Sequence, residues 1–102
     1  MFAIVELSKA KKEEKLRVIL LFDTKKTECG WNEAAYVGLL EADKRFGDHV
    51  SISYVESVHL DHWADCLKEV AELGFSLVIS HASPVEEQIK EAAEAYPDTL
   101  FV

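Results

Sequence analysis

Leu16–Phe22, reading LRVILLF, is apolar at every position except Arg17 and gives way at Asp23 to the polar loop DTKKTECG. A strand with one wet face alternates apolar and polar residues. A run that is apolar on successive residues buries both faces and belongs in the interior of a parallel sheet covered by helices. Everything downstream reads as helices and strands laid against this segment.

Trp31, Ala35, Leu39, Ala42 and Phe46 recur at helical spacing and predict a helix over 32–46. Gly38 beside that stripe would allow close approach to the sheet, and Gly47 supplies a left-handed stop. Val50–Val55 alternates, with Val50, Ile52 and Tyr54 on one side and Ser51 and Ser53 on the other, which suits a half-buried or edge strand better than a central one. Asp61 is the expected N-cap of a helix over 62–73, whose apolar face is Trp63, Cys66, Leu67 and Val70 and whose stop is Gly74. A third strand over 75–80 follows. Ser83, Pro84 and Glu86 then spell a helix start, with a cap, a first-turn proline and a capping-box acid. That helix carries Val85, Ile89, Ala92, Ala93 and Tyr96 on its buried stripe and ends at Pro97, and 100–102 begins a last strand.

Right-handed crossovers turn this alternation into an α/β, three-layer parallel sheet of order 2-1-3-4, counted from the LRVILLF strand, in flavodoxin-like architecture. One helix covers one face and two cover the other. The domain division is a strand or arm with a charged linker over 1–15 and a single βαβαβαβ domain over 16–102. The arm contains FAIVEL at 2–7. The face with one helix is thin near the last strands, where this arm or a second subunit is expected to pack.

With 102 residues there is room for one core, and a chain this small is expected to form a homo-oligomer. A net charge of -8 argues against nucleic acid as a partner. Seven of the eleven basic residues fall between Lys9 and Lys26, a patch that either meets an anion or acidic partner or, as expected, is a solvated surface near the first strand. The apolar piece precedes the lysines, the reverse of a signal peptide, and no apolar run is long enough to span a bilayer. A cytoplasmic protein with no membrane partner is therefore expected.

Ligands of open parallel sheets sit beyond the carboxyl ends of the strands, where strand order reverses. That edge gathers the loops from Asp23, Glu56 and His81. Asp23 either holds a ligand or caps its loop. Trp31 either stacks on a planar group or joins the core, the latter being expected from its place on an apolar stripe. Ser83 is a helix cap whose neighbouring amides would also suit an anion, and His81 is either a lone acid–base residue or a solvent-facing loop histidine, the latter being expected. His59, His62 and Cys66 are the only set resembling zinc ligands, yet they lack paired CxxC or HExxH spacing, and Cys66 fits a buried stripe. No metal and no cofactor are expected. Neither Cys29 nor Cys66 has an identifiable base, and no phosphate-binding glycine loop follows the first strand, so no catalytic residues and no enzymatic activity are expected.

Asp23, Gly30-Trp31-Asn32, Gly38 and the helix end from Ala42 to Gly47 resemble the start of the basic membrane lipoprotein family, which includes purine-nucleoside receptors. Leu73-Gly74-Phe75, Glu91-Ala92-Ala93 and Tyr96-Pro97-Asp98 before Phe101 extend the resemblance over 17–102. It implies a periplasmic-binding-protein-like fold, here a truncated first lobe, that binds a small molecule such as a purine nucleoside. It also implies ligand roles for Asp23, Glu28, Trp31 in place of a phenylalanine, and Asn32. The family glycines after the strand-end aspartate are replaced by the neighbourhood of Lys25 and Lys26. Two functions follow as expectations: a non-enzymatic binding lobe that is incomplete without a partner such as a dimer mate, or a structural or regulatory interaction domain whose cleft has degenerated.

Overall fold

The computed structural model describes residues 2–7, 16–27 and 29–102. Five strands form one sheet: β1 (Val5–Glu6), β2 (Leu16–Phe22), β3 (Val50–Val55), β4 (Leu77–His81) and β5 (Leu100–Phe101). Their order is β1-β3-β2-β4-β5. The four strands from β2 onward are parallel and arranged as the crossover rule requires, with β2 in the middle. The helices are α1 (Cys29–Phe46), α2 (Trp63–Glu72), preceded by a 3-10 turn at Leu60–His62, and α3 (Glu86–Ala95).

β2 separates two cores by the parity of its side chains. Ile19 and Leu21 pack with Trp63, Cys66, Leu67, Val70 and Val78 beneath α2 and α3. Leu20 and Phe22 pack with Leu39, Ile52 and Tyr54 beneath α1. All four β2 residues are almost wholly buried, which is why both parities of the segment are apolar. Trp63 is the core tryptophan, its Nε1–H donating to Ser80 Oγ at 3.0 Å, so full burial leaves no polar atom unpaired.

The alternating strand β3 is not an edge. β1 pairs with it antiparallel, Val5 against Tyr54 and Glu6 against Ser53, and makes the sheet mixed. Ser51 and Ser53 are consequently buried, with Ser51 Oγ donating to Glu6 Oε2 at 3.4 Å. The N-terminal residues thus cover the border opposite the one expected. Phe2 and Ile4 reach the α2–α3 core, while Leu7 reaches the α1 core. The thin region near the last strands stays open, with Leu100 63% and Val102 60% exposed. Residues 8–15 of the proposed arm and linker, and Glu28, lie outside the described residues.

Several helix ends differ from expectation. α1 begins at Cys29, three residues early, so Trp31 lies in its first turn. The 3-10 turn is capped by His59, whose Nδ1 accepts from the Asp61 amide, and Asp61 is inside that turn. α3 begins at Glu86 with Val85 in the N-cap position, so Ser83 lies too far upstream to cap it. Gly74 is the stop it was read to be. Its φ is +89°, its amide donates to the Ala71 carbonyl and the Phe75 amide to that of Val70, the paired bonds of a Schellman ending. Arg17 locks this turn from the neighbouring strand, donating to the Leu73 carbonyl and lying 4.2 Å over the Phe75 ring. Gly47 has no positive φ. It is small because a Cβ there would sit 2.5 Å from the Asp43 carbonyl oxygen. Gly38 faces open space and makes no close approach to the sheet.

Candidate functional site

The chain leaves β2 toward α1 on one face and leaves β4 toward α3 on the other. Strand order therefore reverses between β2 and β4, and the loops after these strands part there. Phe22 and His81 are partners in this register at the carboxyl ends of the two strands. Both point to the α1 side, and their rings meet edge-on at 5.7 Å and 74°.

Five rings run in sequence across this end of the sheet. Tyr36 meets Tyr54 at 5.5 Å, Tyr54 meets Phe22 at 6.2 Å, Phe22 meets His81, and His81 stacks on Trp31 at 3.6 Å with planes 26° apart. His81 Nε2 lies 3.2 Å from the Trp31 carbonyl oxygen. A carbonyl can only accept, so the imidazole donates through Nε2 in this contact. Trp31 is 56% exposed: it is not the core tryptophan its spacing implied, because the early start of α1 sets it at the rim of the helix–sheet contact. One face of the indole covers His81, and the remainder faces solvent.

Asn32 is the buried counterpart of Trp31, 1% exposed. Its Nδ2 donates to Thr24 Oγ1 at 2.7 Å and to the Lys25 carbonyl at 3.1 Å, tying α1 to the loop after β2. Its Oδ1 is buried with no hydrogen-bond partner among the described residues. That loop is held from the other side by β3. The Lys26 amide donates to Glu56 Oε2 at 2.7 Å, and the Ser57 and Val58 amides donate to the Thr24 and Phe22 carbonyls, both at 3.0 Å. Ser57 accepts a φ of +57° to make this turn. Lys26 Nζ lies 3.8 Å from Glu56 Oε1 and over the rings of Tyr36 and Tyr54 at 5.2 and 5.6 Å. Desolvation opposes its charge, but Tyr54, Glu56 and Tyr36 together outweigh that and raise its pKa.

Asp23, at the very end of β2, is half-buried and has no hydrogen bond or ion pair with any described residue. The structure thus brings Asp23, Trp31, Asn32 and His81 to one edge of the sheet. Ser83, two residues beyond His81, is exposed in the stretch before α3. Sequence reasoning missed Phe22, Tyr54 and Lys26 as parts of this edge. The signal was present in strand parity, which sends Phe22 and Tyr54 to the same face.

The zinc-like set does not assemble. Cys66 is fully buried, and its thiol is pushed up to about 12 by burial and by the charge of Glu69, whereas His59 and His62 are exposed. Among the described residues no group of three or more His, Cys, Asp or Glu side chains is placed to hold a metal ion. No described helix is long and apolar enough to cross a membrane.

No protein-family model matches the chain, and no curated protein matches it. Solved structures do. A solute-binding protein of an ABC transporter system from Aeropyrum pernix K1 superposes with a TM-score of 0.74 at 20% identity, over 84% of this chain and 23% of that one. One from Conexibacter woesei DSM 14684 gives 0.70 at 22% identity, over 84% and 28%. A fragment described as a lipoprotein from Peptoclostridium difficile 630 gives 0.73 at 19% identity, over 85% and 70%. The chain spans about a quarter of the length of the two solute-binding proteins. The likeness is one of fold: a periplasmic-binding-protein-like α/β lobe.

Proposed function

We propose that this domain is a non-enzymatic, small-molecule-binding lobe, and that the ligand class to test first is the purine nucleoside of the basic membrane lipoprotein family. The observation that carries the reading is the exposed indole of Trp31 stacked on His81 at the strand-order reversal, on the sheet edge where Asp23 follows β2. An indole held flat by His81 and more than half exposed offers a stacking surface for a planar base. A half-buried carboxylate at the strand end, without a partner among the described residues, suits ligand hydroxyls. Asn32 enters this reading as the brace of the loop, since its amide hydrogens are already committed to Thr24 and Lys25. The neighbours in fold are solute-binding proteins, which supports a binding role over a reaction.

A single lobe provides one wall of a cleft, so affinity is expected to be weak. The test is a thermal-shift and Trp fluorescence panel with guanosine, inosine and adenosine at about 1 mM, an affinity range in which one-walled binding still registers. Binding raises the melting temperature and quenches Trp31, and Trp31→Ala abolishes both responses. No response to any of the three defeats nucleoside binding by this chain.

A second reading, an interaction domain with a degenerate cleft, has its own observation. His81 occupies the inner face of Trp31, so the crevice is partly filled by the protein itself. Loss of ligand response together with intact folding favours this alternative.

A further inference from the structure

The outer face of α1 is unlike those of the other two helices. α2 sets Asp65, Glu69 and Glu72 against Lys68, and α3 sets Glu86, Glu87, Glu91 and Glu94 against Lys90, so their layer is acidic and repels a copy of itself. α1 is close to balanced, with Glu33, Glu41 and Asp43 against Lys44 and Arg45. It also exposes Val37 at 57% and Leu40 at 42%.

Glu33, Val37, Leu40 and Lys44 stand at i, i+4, i+7 and i+11, which places all four on one narrow stripe of the helix, roughly 16 Å long. Arg45 is engaged with Glu41 at 3.4 Å, whereas Glu33 and Lys44 form no ion pair with any described residue. Read from either end, the stripe is complementary to itself. Laid antiparallel on a second copy, Glu33 meets Lys44 of that copy, and Val37 meets its Leu40. Both pairs then recur on the other side of the two-fold axis.

We propose that this chain self-associates as a two-fold dimer through the Glu33–Val37–Leu40–Lys44 stripe of α1. Val5 of the edge strand, 40% exposed and on the same face of the sheet as Tyr54, flanks the contact. Three half-exposed apolar residues and two ion pairs cover a few hundred Å² per copy, below the ~800 Å² per partner of a standard stable interface. So small a contact makes the dimer weak and concentration-dependent, and about 10 μM to 1 mM protein is the range in which to look for it. The antiparallel arrangement sends the two Trp31 edges to opposite ends of the pair. It neither completes nor blocks the proposed ligand site, so the inference stands apart from the ligand reading.

Sedimentation equilibrium of the full chain across that concentration range tests it. Leu40→Glu weakens association about tenfold or more while the dilute protein still melts cooperatively, because Leu40 is 42% exposed. Glu33→Lys and Lys44→Glu each weaken it by facing like charges, and the Glu33→Lys/Lys44→Glu double variant recovers it. A chain that remains monomeric at about 1 mM overturns the proposal. So does a dimer that survives Leu40→Glu but is dissolved by Leu100→Glu, which would place the contact on the open sheet face by β5. Failure of the double variant to recover overturns the antiparallel pairing.

Discussion

The indole of Trp31 lies against the imidazole of His81 with 3.6 Å between ring centres, joining the first turn of α1 to the last residue of β4. The contact closes the gap left where the chain departs from β2 and β4 in opposite directions. A stacked aromatic pair of this kind contributes about 0.5–1.5 kcal/mol beyond area burial. A double-mutant cycle with Trp31→Ala and His81→Ala, measured by urea denaturation, is expected to return a coupling energy in that range. In His81→Ala the Trp31 emission shifts to the red, since the inner face of the indole becomes wet. Coupling indistinguishable from zero would show that the stack does not hold the edge together.

The glycines of α1 and its end separate cleanly. At Gly38 a Cβ meets nothing within 4 Å, so Gly38→Ala trades helix entropy for no clash and stabilises by about 0.5–1 kcal/mol. At Gly47 a Cβ falls 2.5 Å from the Asp43 carbonyl oxygen, so Gly47→Ala forces the backbone to shift and destabilises. Opposite signs in chemical denaturation are the expected outcome. Destabilisation by Gly38→Ala would mean that this flank of α1 is covered in solution.

Cys66 sets a pH dependence whose sign is fixed by its burial. Its thiol is pushed from 9.0 up to about 12 in the folded chain. Folding therefore holds a proton that the unfolded chain releases above the lower value. This contribution is fully present below pH 9 and is lost as pH rises toward 12. The slope approaches about 1.4 kcal/mol per pH unit in that window. Cys66→Ala flattens this limb of the stability–pH curve. In a Cys29→Ser background, where Cys66 is the sole thiol, a thiol reagent at pH 8 reacts only as fast as the protein opens. Rapid, stoichiometric labelling of the native chain would contradict the burial.

Asn32 is the bolt of the candidate site. Asn32→Ala removes the bonds to Thr24 and Lys25 and is expected to cost about 1–3 kcal/mol. Amide exchange should speed up in the loop after β2 more than in the α2–α3 core, measured by hydrogen exchange. Uniform loss across the chain would mean that the bond serves global stability and not the loop.

How far the sequence could be read depended on whether a signal was local. Leu16–Phe22 announced a central strand because both parities are apolar, and the crossover rule then ordered the four parallel strands. Gly74 announced its turn because a left-handed residue after a helix selects glycine. The gathering of Asp23, Trp31, Asn32 and His81 at one edge also followed from topology, although not what each does there. Glu28 lies outside the described residues.

What the linear pattern could not supply were pairings between distant segments. Ser51 and Ser53 looked wet, yet β1 pairs with their strand and its N-terminal neighbours fold over the α2–α3 face, burying both serines. Trp31 sat on an apolar stripe, yet helix phase and an early start lifted it to the rim, where His81 from another strand meets it. Periodicity records which side of an element is apolar. Which surface arrives to cover that side is decided by register, crossing and the other cores, and only the assembled fold determines them.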